Sequence, residues 1–105
     1  MVIYEVNLAI DKDVFAKFQV WLKEHVKEML QLPGFIQARI LKPESEEIVG
    51  RKELTVQYQL ENRDSLTLYF TEFAAKMREE GIRLFQDKFS AERRIFEVQE
   101  NIERQ

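Results

Sequence analysis

The sequence contains no cysteine. That excludes a disulfide framework, a cysteine nucleophile, iron–sulfur clusters and cysteine-bound zinc. A single histidine, His25, leaves no multi-histidine metal centre. Glycine and proline are scarce, three and two in 105 residues, so few positions interrupt regular structure. No apolar run approaches the ~20 residues that cross a bilayer as a helix. Basic charge is not in excess: 16 Lys and Arg stand against 19 Asp and Glu, a net of −3. A general nucleic-acid binder carries a basic excess to neutralise phosphates. Neither nucleic acid nor a membrane is therefore an expected partner. No charged start, apolar stretch and cleavage site precede the strand-like sequence beginning at Val2, and a soluble, cytoplasmic protein is expected. The length fits one domain able to bury its own core.

What is present is strong periodicity. Residues 2–10 alternate, with Val2, Tyr4, Val6, Leu8 and Ile10 on one face, and read as a half-buried strand. Asp11 or Asp13 is placed to cap a helix. Phe15, Phe18, Leu22, Val26 and Met29 then recur at helical spacing, widened by Val14, Trp21, His25 and Leu32. Leu32-Pro33-Gly34 is expected to end this helix. A second strand covers 35–42, with Ile36, Ala38 and Ile40 opposite Phe35, Gln37, Arg39 and Leu41. An acidic connection with Glu44, Glu46 and Glu47 follows, in which Ile48-Val49 can extend a strand edge. Residues 52–61 alternate again as a third strand. Asn62 is the expected cap of a second helix carrying Leu66, Tyr69, Phe70, Phe73, Ala74 and Met77, with Gly81 as its terminator. Residues 89–98 complete the pattern as a fourth strand. A single domain over 1–98 and a polar tail over 99–105 are expected.

The order β-α-β-β-α-β implies an α+β ferredoxin-like plait: a four-stranded antiparallel sheet with two helices on one face. The helix-free face then carries Ile3, Glu5, Asn7, Phe35, Gln37, Arg39, Thr55 and Gln57. Three readings compete for that face. It can stand solvated. It can bind single-stranded RNA, which requires stacking aromatics on the central strands, where this chain has Glu5, Asn7, Thr55 and Gln57. Or it can pack on a second copy of itself, which its mixture of neutral amides and apolar residues suits best.

The elements, the Leu-Pro-Gly-Phe run at 32–35 and the segment from Met77 through Arg78-Glu79-Glu80-Gly81, Phe85 and Phe89-Ser90-Ala91 to Arg93-Arg94-Ile95 carry a resemblance. The chain resembles a small bacterial family known as a domain of unknown function. That family is placed in the dimeric α/β-barrel superfamily beside antibiotic-biosynthesis-monooxygenase-like domains. The resemblance implies a homodimer whose sheets close a barrel with the helices outside. It also implies a pocket between sheet and helices, as in the superfamily's cofactor-free oxygenases. Haem-degrading enzymes and muconolactone isomerases are further members. Members often carry a histidine at the place that is Phe73 here, so a haem-ligating or acid–base role at that position does not carry over.

Candidate chemistry is sparse. Tyr4, Trp21, His25, Tyr58 and Tyr69 can line one pocket, or simply form core. Arg93 and Arg94 are adjacent on a strand and point to opposite faces. Which of the two enters the barrel face is open, with Arg94 a candidate there; Glu5 is the candidate partner on that face, where Arg39 can join, and Glu79 or Glu80 on the helix side. The alternative is capture of an anionic ligand. No phosphate cradle, metal loop or Ser-based nucleophile motif is present, and no metal or cofactor is expected. The leading expectation is a small homodimeric domain that binds a small molecule. The alternatives are a cofactor-free monooxygenase-like enzyme and a protein-interaction module. A cavity beside His25 between sheet and helices favours binding or catalysis; a filled layer does not.

Overall fold

The computed structural model describes residues 1–44 and 49–105. The acidic stretch at Glu46 and Glu47 and the Ile48 half of the expected strand edge lie outside the described residues. Four strands, β1 (Val2–Asp11), β2 (Phe35–Leu41), β3 (Arg51–Leu60) and β4 (Phe89–Glu97), form one antiparallel sheet in the order β2-β3-β1-β4. Helix α1 (Phe15–Met29) connects β1 to β2. Between β3 and β4, α2 (Arg63–Leu68), a π turn (Tyr69–Phe73) and α3 (Ala74–Phe85) run on as the second crossover helix. This is the ferredoxin-like plait, with β1 and β3 in the centre.

The alternation of the central strands sets the layers. Val2, Tyr4, Leu8 and Ile10 of β1 and Leu54, Val56, Tyr58 and Leu60 of β3 are all buried on the helix side. Phe18, Leu22, Val26 and Met29 of α1 close over them, joined by Leu66, Tyr69, Ala74 and Phe85 of the second helix. Asn62 caps α2, its side-chain oxygen accepting from the Ser65 N–H at 2.9 Å.

Several local expectations are corrected. Neither Asp11 nor Asp13 caps α1 through its side chain. Asp11 instead accepts from Arg51 Nε at 2.7 Å, and Asp13 pairs with Lys88 at 2.6 Å. Arg51 also reaches Ser90 Oγ and the Asp87 carbonyl, so one guanidinium gathers the ends of β1, β3 and β4. Helix α1 stops at Met29, ahead of Leu32-Pro33-Gly34. Gly34 turns the chain as expected, with φ +81°, and a Cβ there would also lie 2.1 Å from Ser65 Oγ.

Phe35 was placed on the helix-free face and Ile36 on the helix side; the structure reverses both. A β-bulge falls between Phe35 and Gln37, so that Phe35 pairs with Leu60 and Gln37 with Gln59. One extra residue flips the side chains before it. Phe35 therefore turns inward, its ring edge-on to Tyr58 at 5.7 Å and Tyr69 at 5.4 Å, while Ile36 is left 47% exposed. Burying the larger aromatic surface favours this register.

Gly81 does not end the second helix, which continues to Phe85. It is buried inside α3 because Trp21 of α1 lies against it: an added Cβ would sit 2.7 Å from the Trp21 ring.

Candidate functional site

Between sheet and helices lies an open cavity of about 270 Å³. That is close to the ~300 Å³ at which ligand pockets begin. Tyr4 and Tyr58 come from the two central strands, Trp21 and His25 from α1, and Tyr69 from the π turn; all five line it. Alternation brings the two strand tyrosines to one face, and a four-residue spacing puts Trp21 and His25 on successive turns. The π turn advances the helix register by an extra residue. As a result both Tyr69 and Phe70 reach the Tyr4 ring, at 5.7 and 5.4 Å.

The walls are ring against ring. Tyr4 stacks on Tyr58 at 5.9 Å, and His25 stacks on Trp21 at 4.6 Å and 20°. The indole N–H of Trp21 donates to Glu80 Oε1 at 2.7 Å, which fixes α1 against α3. Burial pushes the Tyr58 phenol well above its ordinary range, and burial pushes Tyr69 up to about 12, against the opposing charges of Arg78 and Arg93. Both phenols hold their protons at neutral pH.

Burial lowers the pKa of His25, with the Glu80 charge pulling the other way. Above the ordinary value of 6.5 both folded and unfolded chains carry it neutral. As pH falls below that value, the unfolded chain takes up a proton that the folded chain resists. Stability from this group therefore declines with falling pH until the lowered folded value is passed. Urea unfolding between pH 7 and pH 5 is expected to show a steeper loss for the native chain than for His25→Gln. Parallel pH profiles would contradict that.

Sequence reasoning missed three parts of the site. Arg78 projects from α3 and donates from Nη2 to the Tyr4 phenol at 3.0 Å, while its Nε–H is buried without an acceptor. Gly81 forms part of the wall, and Gln86 sits at the rim with φ +50°, where the chain turns from α3 towards β4. The signal for Arg78 was available: positions 74, 78, 81 and 85 continue the apolar spacing once Gly81 is allowed inside the helix.

The two adjacent arginines separate as alternation requires. Arg93 pairs opposite Val6 and lines the cavity; Arg94 pairs opposite Glu5 on the other face. The expected pairing of Arg93 with Glu79 or Glu80 does not form: Glu80 is engaged by Trp21. Among the described residues, neither Arg78 nor Arg93 belongs to an ion pair.

The helix-free face is a continuous polar network. Arg39 donates to Gln57, Gln57 and Asn7 donate to the two oxygens of Glu5, and Thr55 donates to Asn7, over 2.7–3.0 Å. Gln37 donates to Gln59 at 2.9 Å. These hydrogen bonds, with the Arg94 charge adding to them, hold the Glu5 carboxyl below its ordinary value. Ile3 pairs between Gln59 and Phe96 on the same face, and the Arg94 guanidinium lies 4.7 Å over the Phe96 ring. Phe35 is absent from it, for the reason given above.

Among the described residues, no helix is long and apolar enough to cross a membrane. No group of three or more His, Asp or Glu side chains is gathered there for a metal ion.

Comparison with solved structures supports the fold. A Deinococcus radiodurans protein named for antibiotic biosynthesis monooxygenases superposes with a TM-score of 0.77 at 12% identity, over 100% of this chain and 99% of its own. SnoaB, a cofactor-independent oxygenase from Streptomyces nogalater, superposes at 0.70 with 12% identity, over 96% of each chain. A conserved protein from Methanosarcina mazei Go1 reaches 0.65 at 18% identity, over 91% of each. Identities this low carry the fold and not the chemistry. No curated protein matches the sequence. The family model described as "Domain of unknown function (DUF4286)" matches residues 1–99. With that match spanning nearly its whole length, the chain belongs to the DUF4286 family.

Proposed function

We propose that this protein binds a small molecule in the cavity between its sheet and helices. The observation that supports this is the open space itself. A layer serving only as core would be packed to the density of an organic crystal, whereas here the rings of Tyr4, Trp21, Tyr58 and Tyr69 surround about 270 Å³. Trp21 is the only tryptophan and lines this space, so it reports occupancy directly. The uncharged dye N-phenyl-1-naphthylamine is expected to bind one molecule per chain, with energy transfer from Trp21. Ala91, half-buried on β4 in the wall, is the position to fill. Ala91→Phe is expected to weaken dye binding at least tenfold while the chain stays folded. Equal binding by both proteins would remove the cavity as the site.

A second reading concerns the helix-free face. Its centre is neutral amides around one carboxylate, bordered by Ile3, Leu41 and Phe96, which suits a wet interface with a second copy of the chain. We infer a homodimer through this face. In Gln57→Glu a second carboxylate would replace the amide that donates to Glu5 at 2.9 Å. Like charges facing each other across strands destabilise. Sedimentation should show a dimer that this substitution weakens about tenfold. A monomer at micromolar concentration, or an unaltered dimer in the variant, would count against this interface.

A further inference from the structure

The cavity is positively charged in a chain whose net charge is negative. Arg78 and Arg93 line it, and no Asp or Glu is among its described lining residues. Half-buried Arg78 meets phenols rather than a carboxylate, Tyr4 at 3.0 Å and Tyr69, and among the described residues its Nε–H has no acceptor. A guanidinium near buried surface ordinarily meets a carboxylate. Glu80 of the same helix is turned to the Trp21 indole instead. Arg93 lines the cavity and is itself exposed, so an entering anion would meet it first.

We infer that the ligand is a flat apolar ring compound bearing one carboxylate, with Arg78 anchoring the carboxylate and Arg93 guiding it from the mouth. This rests on the cavity being a binding site, as proposed above. A planar fork matches a planar carboxylate through paired N–H donors. Protonated phenols beside it donate to the remaining oxygen lone pairs. The apolar and aromatic lining, with half-buried Trp21 in its wall, takes the flat body. The described lining offers no glycine-rich backbone nest, the feature that would favour a phosphate dianion.

Isothermal titration calorimetry with 1-naphthoate and its uncharged counterpart 1-naphthamide tests this. The native chain should bind the naphthoate at least tenfold more tightly than the amide. Arg78→Gln should abolish that preference, so that the variant binds naphthoate no more tightly than it binds the amide. Arg93→Gln, at an exposed position, should narrow the preference for naphthoate over the amide about threefold, and it carries the test if the first variant does not fold. Equal affinity for the two probes in the native chain would overturn the carboxylate inference and leave the binding site standing. A preference that survives both substitutions would overturn it too. Failure of both probes where the neutral dye still binds would also reject this ligand class alone; failure of the dye as well would reject the cavity as a site.

Discussion

Gly81→Leu is expected to lower stability by about 3 kcal/mol, the upper part of the range for overpacking. It should also drive Trp21 out of its seat. Alanine would gain up to ~1 kcal/mol of helix preference over glycine, and a leucine gains no more than that. Against the gain stands a contact of 2.7 Å between the new Cβ and the Trp21 ring. That ring is not a loose side-chain tip. It is stacked on His25, tilted against Phe18 and bonded through its N–H to Glu80. Leucine adds three further carbons in the same direction, so the indole must leave. The urea midpoint should fall and Trp21 emission should shift to the red. An unchanged midpoint with unchanged emission would mean that the indole does not rest on Gly81.

Phe18→Ala should cost about 3–5 kcal/mol, the usual range for removing a buried aromatic ring. Phe18 is 0% exposed and lies within 5.4 Å, centre to centre, of the rings of Trp21, Phe85 and Phe89. It is the point where α1, α3 and β4 meet, and these three elements supply one side of the cavity. The surrounding rings come from three separate elements and cannot collapse together into the void, which favours the upper part of the range. Since domains are stable by only about 5–15 kcal/mol, a fall in melting temperature on the order of 20 °C is expected. Calorimetry showing a loss under about 1 kcal/mol would contradict this packing. Both substitutions act on the same wall, so their costs should not add.

Much of this architecture is legible without coordinates. Strict alternation in β1 and β3 places Tyr4 and Tyr58 on the helix side. Helical spacing from Phe18 to Met29 names the buried face of α1, and Asn62 marks the start of α2. Tyr4, Trp21, His25 and Tyr58 come together because each lies on a regular element whose period sets its direction. Reading fails where one residue is inserted or one contact is long-range. The bulge after Phe35 exchanges the faces of Phe35 and Ile36, and the π turn brings Tyr69 and Phe70 onto one ring. Neither leaves a mark in local pattern, because each is stabilised by rings distant in the chain.

Periodicity and composition by themselves determined the layers, the order of the strands and the absence of cysteine or multi-histidine chemistry. Only the tertiary structure decided that Gly81 belongs inside a helix, that Glu80 is engaged by Trp21, and that Arg78 and Arg93 share a cavity with no carboxylate among its described lining residues. The reason is one of range. Backbone period acts between neighbours three or four positions apart, whereas the balance of charge in a cavity is set by side chains from three elements that meet only on folding.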